Sequence, residues 1–134
     1  MVIRRVSATV LFVDDLVKCT TFYRDVLGLQ ATFSDSESVA FRTEDQDFVL
    51  LKVPAAVNMI SAEAVGQDRG GRQRVLLCAE MENVDEAYQS LMAKGISFIK
   101  PPIDQPWGRR TTYFADPEGN LWELFQFLDT NQPQ

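Results

Sequence analysis

Hydrophobic and polar positions alternate in several short stretches of the chain, which is the pattern of half-buried β-strands. The first alternation runs over residues 4–13. It then changes to a helical spacing that begins at the capping residues Asp14 and Asp15 and ends at Gly28. Three further strand-like stretches follow, at residues 30–33, 38–42 and 47–53. The first half of the chain therefore predicts the order β-α-β-β-β.

The second half begins after a less regular segment. Residues 54–73 carry no sustained period, so they are predicted to form a connector with a single helical turn at residues 61–65. A strand at residues 74–80 precedes a helix that starts at Asn83, where a glutamate three residues later completes a capping box. Gly95 is predicted to end this helix. The β-α order of the first half thus begins again.

A short strand and a hairpin are predicted next. The strand at residues 97–100 is expected to be broken by Pro101 and Pro102, because proline cannot donate to a strand ladder. Residues 113–127 then alternate on both sides of the Asp-Pro-Glu-Gly-Asn sequence at 116–120. Such a sequence favours a tight bend, so two strands joined by a turn are predicted here.

The hairpin places a carboxylate among apolar side chains. On a strand, Glu123 shares a face with Leu121, Phe125 and Phe127. Burying an unpaired carboxylate costs several kcal/mol, so Glu123 needs a cation, hydrogen-bond donors or water. Two interpretations stay open: Glu123 is a polar anchor or base in a site, or it is satisfied by backbone amides, water or an arginine.

Arg109 is the predicted partner of Glu123. It lies in the segment Trp-Gly-Arg-Arg that starts at Trp107, and on a strand it shares a face with Thr111 and Tyr113. The alternative is a loop tryptophan that packs on a partner chain beside solvated arginines. The aromatic residues of the strands are open to the same two interpretations, core packing or stacking on a flat ligand.

Composition narrows the class of protein. Thirteen Lys and Arg against nineteen Asp and Glu give the 134 residues a net charge of −6, which opposes binding to nucleic acid. No apolar run is long enough for a signal peptide or a membrane span. Cys19 and Cys78 lie in patterned elements and are expected to be free thiols that fill apolar space. A cytoplasmic protein without a nucleic-acid or membrane partner is expected.

The two halves resemble each other. Residues 13–29 match residues 81–96 at an offset of 67 to 68 positions, half of the chain. One module of this kind covers one face of its sheet with a helix and leaves the other uncovered. The sequence therefore predicts an α+β fold in a single domain, residues 1–134, with modules at about 4–53 and 74–128.

Three segments of the chain resemble the vicinal oxygen chelate superfamily, which includes glyoxalase I, bleomycin-resistance proteins and extradiol dioxygenases. They are residues 12–16 (FVDDL), 22–29 (FYRDVLGL) and 116–124 (DPEGNLWEL). The resemblance implies paired β-α-β-β-β modules whose mixed sheets curve into a cup. It also implies that metal-dependent members bind their ion through His, Gln or Glu on the first and last strands of each module.

The ligand positions implied by the resemblance are mostly apolar here. They fall on Ala8, on Leu76, within the apolar segment 48–51, and on Glu123, and the chain contains no histidine. Catalytic metal ions need about three protein ligands. No metal and no other cofactor is therefore expected, and a metal-dependent glyoxalase-like lyase is the least favoured function.

A binder of the bleomycin-resistance type is the predicted function, in which the cup holds a planar or aromatic compound. The expected ligand-binding residues are Phe12, Phe41, Trp107, Arg109, Tyr113, Glu123 and Phe125. The alternative is a metal-free isomerase or lyase with Glu123 as its catalytic base. The uncovered faces and edges also predict a homodimer, with the cup near the boundary between the chains and Trp107 near the partner.

Overall fold

The computed structural model describes residues 6–66 and 75–128. The chain divides into two units, Met1–Gly71 and Arg72–Gln134. Each unit is built on one four-stranded mixed sheet with helices, which confirms the α+β class and the two tandem β-α-β-β-β modules.

The N-terminal sheet has the strand order β1-β4-β3-β2. Its strands are β1 (Ala8–Val13), β2 (Gln30–Ser34), β3 (Ser38–Arg42) and β4 (Asp47–Lys52). The first and last strands of the unit pair in parallel, and the remaining pairs are antiparallel. The predicted order of this module is therefore confirmed.

Helix α1 (Leu16–Thr21) starts at the predicted capping pair, since Oδ1 of Asp15 accepts a hydrogen bond of 3.0 Å from the backbone N–H of Lys18. The sequence predicts an α-helix that continues to Gly28, and this is wrong for its last turns. The helix widens into a π-helical turn (Phe22–Val26), and Gly28 follows with a φ of 79°.

Two short helices follow β4. The predicted connector at 54–73 was expected to lack a sustained helix, but α2 (Val53–Met59) forms there with proline in its first turn. The predicted helical turn is confirmed as α3 (Ala62–Val65), capped by the side chain of Ser61. The rest of the predicted connector, residues 67–74, lies outside the described residues. Among those that are described, no helix is long and apolar enough to cross a membrane.

The C-terminal sheet repeats the arrangement in the order β5-β8-β7-β6. Its elements are β5 (Leu76–Glu80), α4 (Val84–Ala93), β6 (Phe98–Asp104), β7 (Arg109–Ala115) and β8 (Leu121–Phe127). The predicted cap of α4 is observed, because Oδ1 of Asn83 accepts a 3.0 Å hydrogen bond from the N–H of Glu86. Strand β8 lies between β5, its parallel neighbour, and β7, its antiparallel neighbour.

Strand β6 corrects the prediction that Pro101 and Pro102 end a strand. The strand continues through both prolines to Asp104. Because β6 is at the edge of its sheet, only one side needs ladder hydrogen bonds, and its pairing with β7 shifts register between Lys100 and Ile103. The prolines are tolerated at this irregularity, where their missing N–H groups are not required.

Helix α4 covers one face of the C-terminal sheet. Aromatic rings connect the helix to the strands: Tyr88 lies 4.7 Å from Phe98, which lies 5.6 Å from Phe114, all measured between ring centroids. Phe114 is stacked on Trp122 at 6.3 Å. The first N–H of the helix, on Val84, donates a hydrogen bond to Oε1 of Gln126, whose side chain lies on this face of β8. Residues that alternate with these on β7 and β8 therefore point to the other face.

Candidate ligand-binding face

The turn between β7 and β8 sets the register of the hairpin. Oδ1 of the buried Asp116 accepts hydrogen bonds from the backbone N–H groups of Glu118 (2.9 Å) and Asn120 (2.8 Å), and Oδ2 accepts one from the Asn120 side chain (2.9 Å). Gly119 has a φ of 90°, which favours glycine. The turn thereby places Tyr113 directly opposite Glu123.

The face of the C-terminal sheet opposite α4 carries a cluster of polar and aromatic side chains, which we call the Glu123 face. It includes Cys78 and Glu80 on β5, Lys100 on β6, Arg109, Thr111 and Tyr113 on β7, and Glu123, Phe125 and Phe127 on β8. Six of these nine residues follow from the alternation on the two hairpin strands. Cys78 is added because β5 pairs with β8 in parallel and sets it beside Glu123.

Glu123 is 8% exposed, and its Oε1 accepts a hydrogen bond of 2.8 Å from the hydroxyl of Tyr113. The expectation that Arg109 pairs with Glu123 is wrong: among the described residues, these two side chains form neither a hydrogen bond nor an ion pair with each other. Burial raises the pKa of Tyr113, a hydrogen bond with Thr111 lowers it, and the neighbouring Glu123 raises it further. Tyr113 is therefore a neutral hydrogen-bond donor at neutral pH.

Cys78 was expected to fill apolar space, and it does not. Cys19 is buried, whereas Cys78 is exposed on the Glu123 face. Its thiol is nevertheless partly desolvated, and this desolvation and the neighbouring Glu123 both raise the pKa of Cys78, while Arg109 lowers it. The sequence signal that could have placed Cys78 here is the parallel pairing of first and last strands that the module order requires.

Arg109 and Arg110 lie on opposite faces and have different surroundings. The guanidinium carbon of Arg109 lies 4.3 Å from the ring centroid of Phe125 and 5.0 Å from that of Phe127. Arg110 faces α4, where it binds Oδ1 of Asp85 at 3.1 Å and Oδ1 of Asp104 at 2.8 Å. Those two carboxylates raise its pKa. Arg110 is therefore structural, and Arg109 belongs to the Glu123 face.

Gln105, which the sequence did not single out, supports this face at its end near β6. Its side-chain amide donates a 3.0 Å hydrogen bond to Oγ1 of Thr111, which is fully buried. Its backbone closes the turn before β7, where Gly108 has a φ of 89°. Trp107 projects from this turn and is 60% exposed.

The two remaining predicted site residues belong to the N-terminal sheet. Phe41 lies on the face covered by helix and is fully buried, with its ring centroid 6.2 Å from that of Tyr23 and 6.4 Å from that of Phe48. It is therefore a core residue and does not line an open face. Phe12 is half-buried and alternates with the buried Leu11, so it points to the other face.

The corresponding face of the N-terminal sheet lacks the polar cluster. The repeat offset matches Cys78 to Val10, and Val10 pairs with Val49 on β4 as Cys78 pairs with Glu123. Val49 in turn pairs with Ala40 on β3, which takes the place of Tyr113. The two units share the backbone arrangement, but at these paired positions it is the C-terminal unit that carries a carboxylate and its donor.

The donor set does not fit the metal ion that the resemblance implies for metal-dependent members. Leu76 and Ala8 supply no ligand atom, and Glu123 has a thiol and a phenol beside it. Within the described ranges, no group of three or more His, Cys, Asp or Glu could hold an ion. A catalytic metal site needs about three protein ligands, and of the implied positions named here only Glu123 supplies one.

Comparisons with known proteins agree with this fold. The model of the Glyoxalase/Bleomycin resistance protein/Dioxygenase superfamily matches residues 5–124. The uncharacterised protein YraH of Bacillus subtilis (strain 168) is 29% identical over 121 residues, 88% of this chain and 94% of the relative. A glyoxalase/bleomycin resistance protein/dioxygenase from Nocardioides has a TM-score of 0.84 and 26% identity, covering 100% of this chain and 91% of that one. A protein of unknown function from Agrobacterium tumefaciens str. C58 has a TM-score of 0.77 and 30% identity, covering 96% and 98%. The chain belongs to the Glyoxalase/Bleomycin resistance protein/Dioxygenase superfamily.

Proposed function

We propose that the protein binds a small planar or aromatic molecule on the Glu123 face without a metal ion. The observation that carries this proposal is the pair formed by Glu123 and Tyr113, a buried carboxylate and its phenol donor, on the face of the sheet that α4 does not cover. A fold of this superfamily hosts several activities, so the function has to rest on these side chains.

The side chains offer complementary contacts to such a molecule. The ring of Phe125 is only 9% exposed, and the guanidinium of Arg109 lies over it, so the two side chains together offer an apolar edge and a positive charge. Glu123 has acceptor capacity beyond its bond to Tyr113, because a carboxylate can accept about four hydrogen bonds. A few convergent polar groups on an otherwise apolar surface are typical of small-molecule sites.

A thermal-shift screen of planar and aromatic compounds tests the proposal. A ligand at 100 times its dissociation constant is expected to add ~2.7 kcal/mol to the free energy of unfolding. Glu123→Gln should weaken this stabilisation, whereas Glu82→Gln, a charge-matched change at an exposed position before α4, should not. The proposal fails if no compound stabilises the protein, or if both variants respond as the unchanged protein does.

One observation favours a second function, a metal-free acid–base enzyme. The hydroxyl of Tyr113 lies 2.8 Å from Oε1 of Glu123, so a base and a donor for a developing negative charge stand side by side. In an enzyme of this kind Glu123→Gln lowers turnover by orders of magnitude. In a binder the same change alters affinity by only ~1–3 kcal/mol, so parallel turnover and affinity measurements distinguish the two.

A further inference from the structure

Arg109 lies on the Glu123 face and differs from three other arginines in its surroundings. Arg24, Arg42 and Arg110 each form an ion pair with a carboxylate, at distances of 2.8 to 3.1 Å. Among the described residues, no carboxylate pairs with Arg109 in this way. Its guanidinium instead lies on the rings of Phe125 and Phe127. Stacking holds the planar group in place and leaves its N–H donors available for an anion.

The position of this guanidinium relates it to Glu123. Arg109 pairs in register with Phe127, yet its charged group lies closer to the ring of Phe125, which is the next residue toward Glu123 on the same face. Phe125 and Glu123 are two residues apart, about 7 Å along the strand. The Arg109 guanidinium and a buried acceptor are thus separated by a distance that a single small molecule can bridge.

We propose that the molecule bound on the Glu123 face is an aromatic carboxylate with a hydrogen-bond donor on the opposite side of its ring. The carboxylate binds Arg109, the ring lies against Phe125, and the donor binds the carboxylate of Glu123. This inference rests on the proposed small-molecule binding and names the class of ligand.

Charge balance selects a carboxylate among anions. One guanidinium neutralises one negative charge, and a dianionic phosphate would leave a surplus charge on a face that already carries Glu123 and Glu80, on a protein whose net charge is already −6. The flat guanidinium also matches a carboxylate with two parallel hydrogen bonds. A neutral ester of the same acid offers acceptors but no charge, so it isolates the contribution of Arg109.

Calorimetric titration at pH 7 with three pairs of probes tests the inference. The probes are 4-hydroxybenzoate, 4-hydroxyphenylacetate and 3-(4-hydroxyphenyl)propionate, which differ in reach, each compared with its methyl ester. At least one acid is expected to bind tenfold or more tightly than its ester. The preferred acid should bind less tightly when its ring hydroxyl is removed, because the contact with Glu123 is then lost. For 4-hydroxybenzoate, the compound without this hydroxyl is benzoate.

Two arginine variants assign the preference to a residue. Arg109→Gln should abolish the difference between acid and ester, because the acid then loses its charged partner. Arg110→Gln removes the same charge one position along β7, on the face toward α4, and should retain the difference. Arg109→Lys keeps the charge without the planar fork and should give an intermediate preference, which also serves if the Gln variant does not fold.

The outcomes separate this inference from the proposed function. If aromatic esters bind in a manner that depends on Glu123 but no acid is preferred, the ligand class is wrong and the binding function stands. If Arg109→Gln and Arg110→Gln change the acid-to-ester ratio alike, the assignment to Arg109 is overturned. If no acid and no ester binds and the planar screen is also negative, both proposals fail.

Discussion

The hydrogen bond between Tyr113 and Glu123 allows a sharp test of the site by Tyr113→Phe. This change removes one oxygen atom and keeps the ring in place. Glu123 then loses its 2.8 Å hydrogen bond from the Tyr113 hydroxyl, while it remains buried at 8% exposure. The result should be an under-satisfied carboxylate at an otherwise unchanged position in the sheet.

The expected cost follows from the kind of bond that is lost. A hydrogen bond to a charged group contributes ~1.5–3 kcal/mol to stability, and a buried acceptor that loses its donor costs a similar amount. In urea, where unfolding free energy falls by ~1–3 kcal/mol per molar for small proteins, this corresponds to a midpoint about 1 M lower. In a protein that already carries Glu123→Gln, Tyr113→Phe should cost less, because the charge that strengthens the bond is then absent.

Urea denaturation of a double-mutant cycle measures this coupling. The cycle compares Tyr113→Phe, Glu123→Gln and both together. Tyr88→Phe is the matched control, because Tyr88 packs its ring on Phe98 but its hydroxyl makes no hydrogen bond among the described residues. That control should stay within ~0.5 kcal/mol of the unchanged protein.

The reasoning is refuted if Tyr113→Phe costs no more than Tyr88→Phe. It is also refuted if the two changes in the cycle are additive to within ~0.5 kcal/mol, because independent sites behave in that way. Either result would mean that the carboxylate of Glu123 is stabilised by something other than Tyr113.

Three further predictions concern core packing, pH dependence and assembly. Phe41→Ala should cost ~3–5 kcal/mol in urea denaturation because Phe41 is fully buried, and Phe12→Ala, at a half-buried position, should cost clearly less; equal costs would contradict the assignment of faces. Cys78 and Tyr113 have raised pKa values, so the folded state keeps protons that the unfolded chain releases, and stability should fall as the pH rises above ~8.5, where an unfolded thiol ionises. Denaturation at pH 7 to 10 should show a shallower fall for Cys78→Ala, and an unchanged slope would count against a raised thiol pKa. We also propose a homodimer that covers the exposed Trp107; sedimentation equilibrium at micromolar concentration should give twice the chain mass, and a stable monomer would remove this proposal.

Part of the candidate site could be predicted from local pattern. Alternation along a strand is enough to place Glu123 and Phe125 on one face, and Arg109 and Tyr113 on one face. The pairing of Tyr113 with Glu123 could have been found as well, by counting outward from the turn at Asp116. The turn residues determine the register of a hairpin, and the turn and the two paired residues lie within a few positions of one another in the sequence.

Other parts of the site depend on residues that are distant in sequence. Cys78 adjoins Glu123 because β5 and β8 pair in parallel, with the whole module between them. Arg110 finds its carboxylates on α4 and on the edge strand β6. Nothing in the immediate sequence of Arg109 and Arg110 indicates which one faces the helix, since adjacent strand residues always point to opposite sides.

The sequence by itself determined the order of the strands and of helices α1, α3 and α4, and with it the two modules. These follow from period, capping residues and turn residues, each of which acts over a few positions, whereas the family is indicated by the resemblance of residues 12–16, 22–29 and 116–124. Only the tertiary structure decided that Phe41 is core, that β6 continues through its prolines, and that Arg109 lies on aromatic rings while Arg110 forms ion pairs. Those outcomes depend on which face of each sheet a helix covers and which strand lies at an edge, and both are set by packing between segments far apart in the chain.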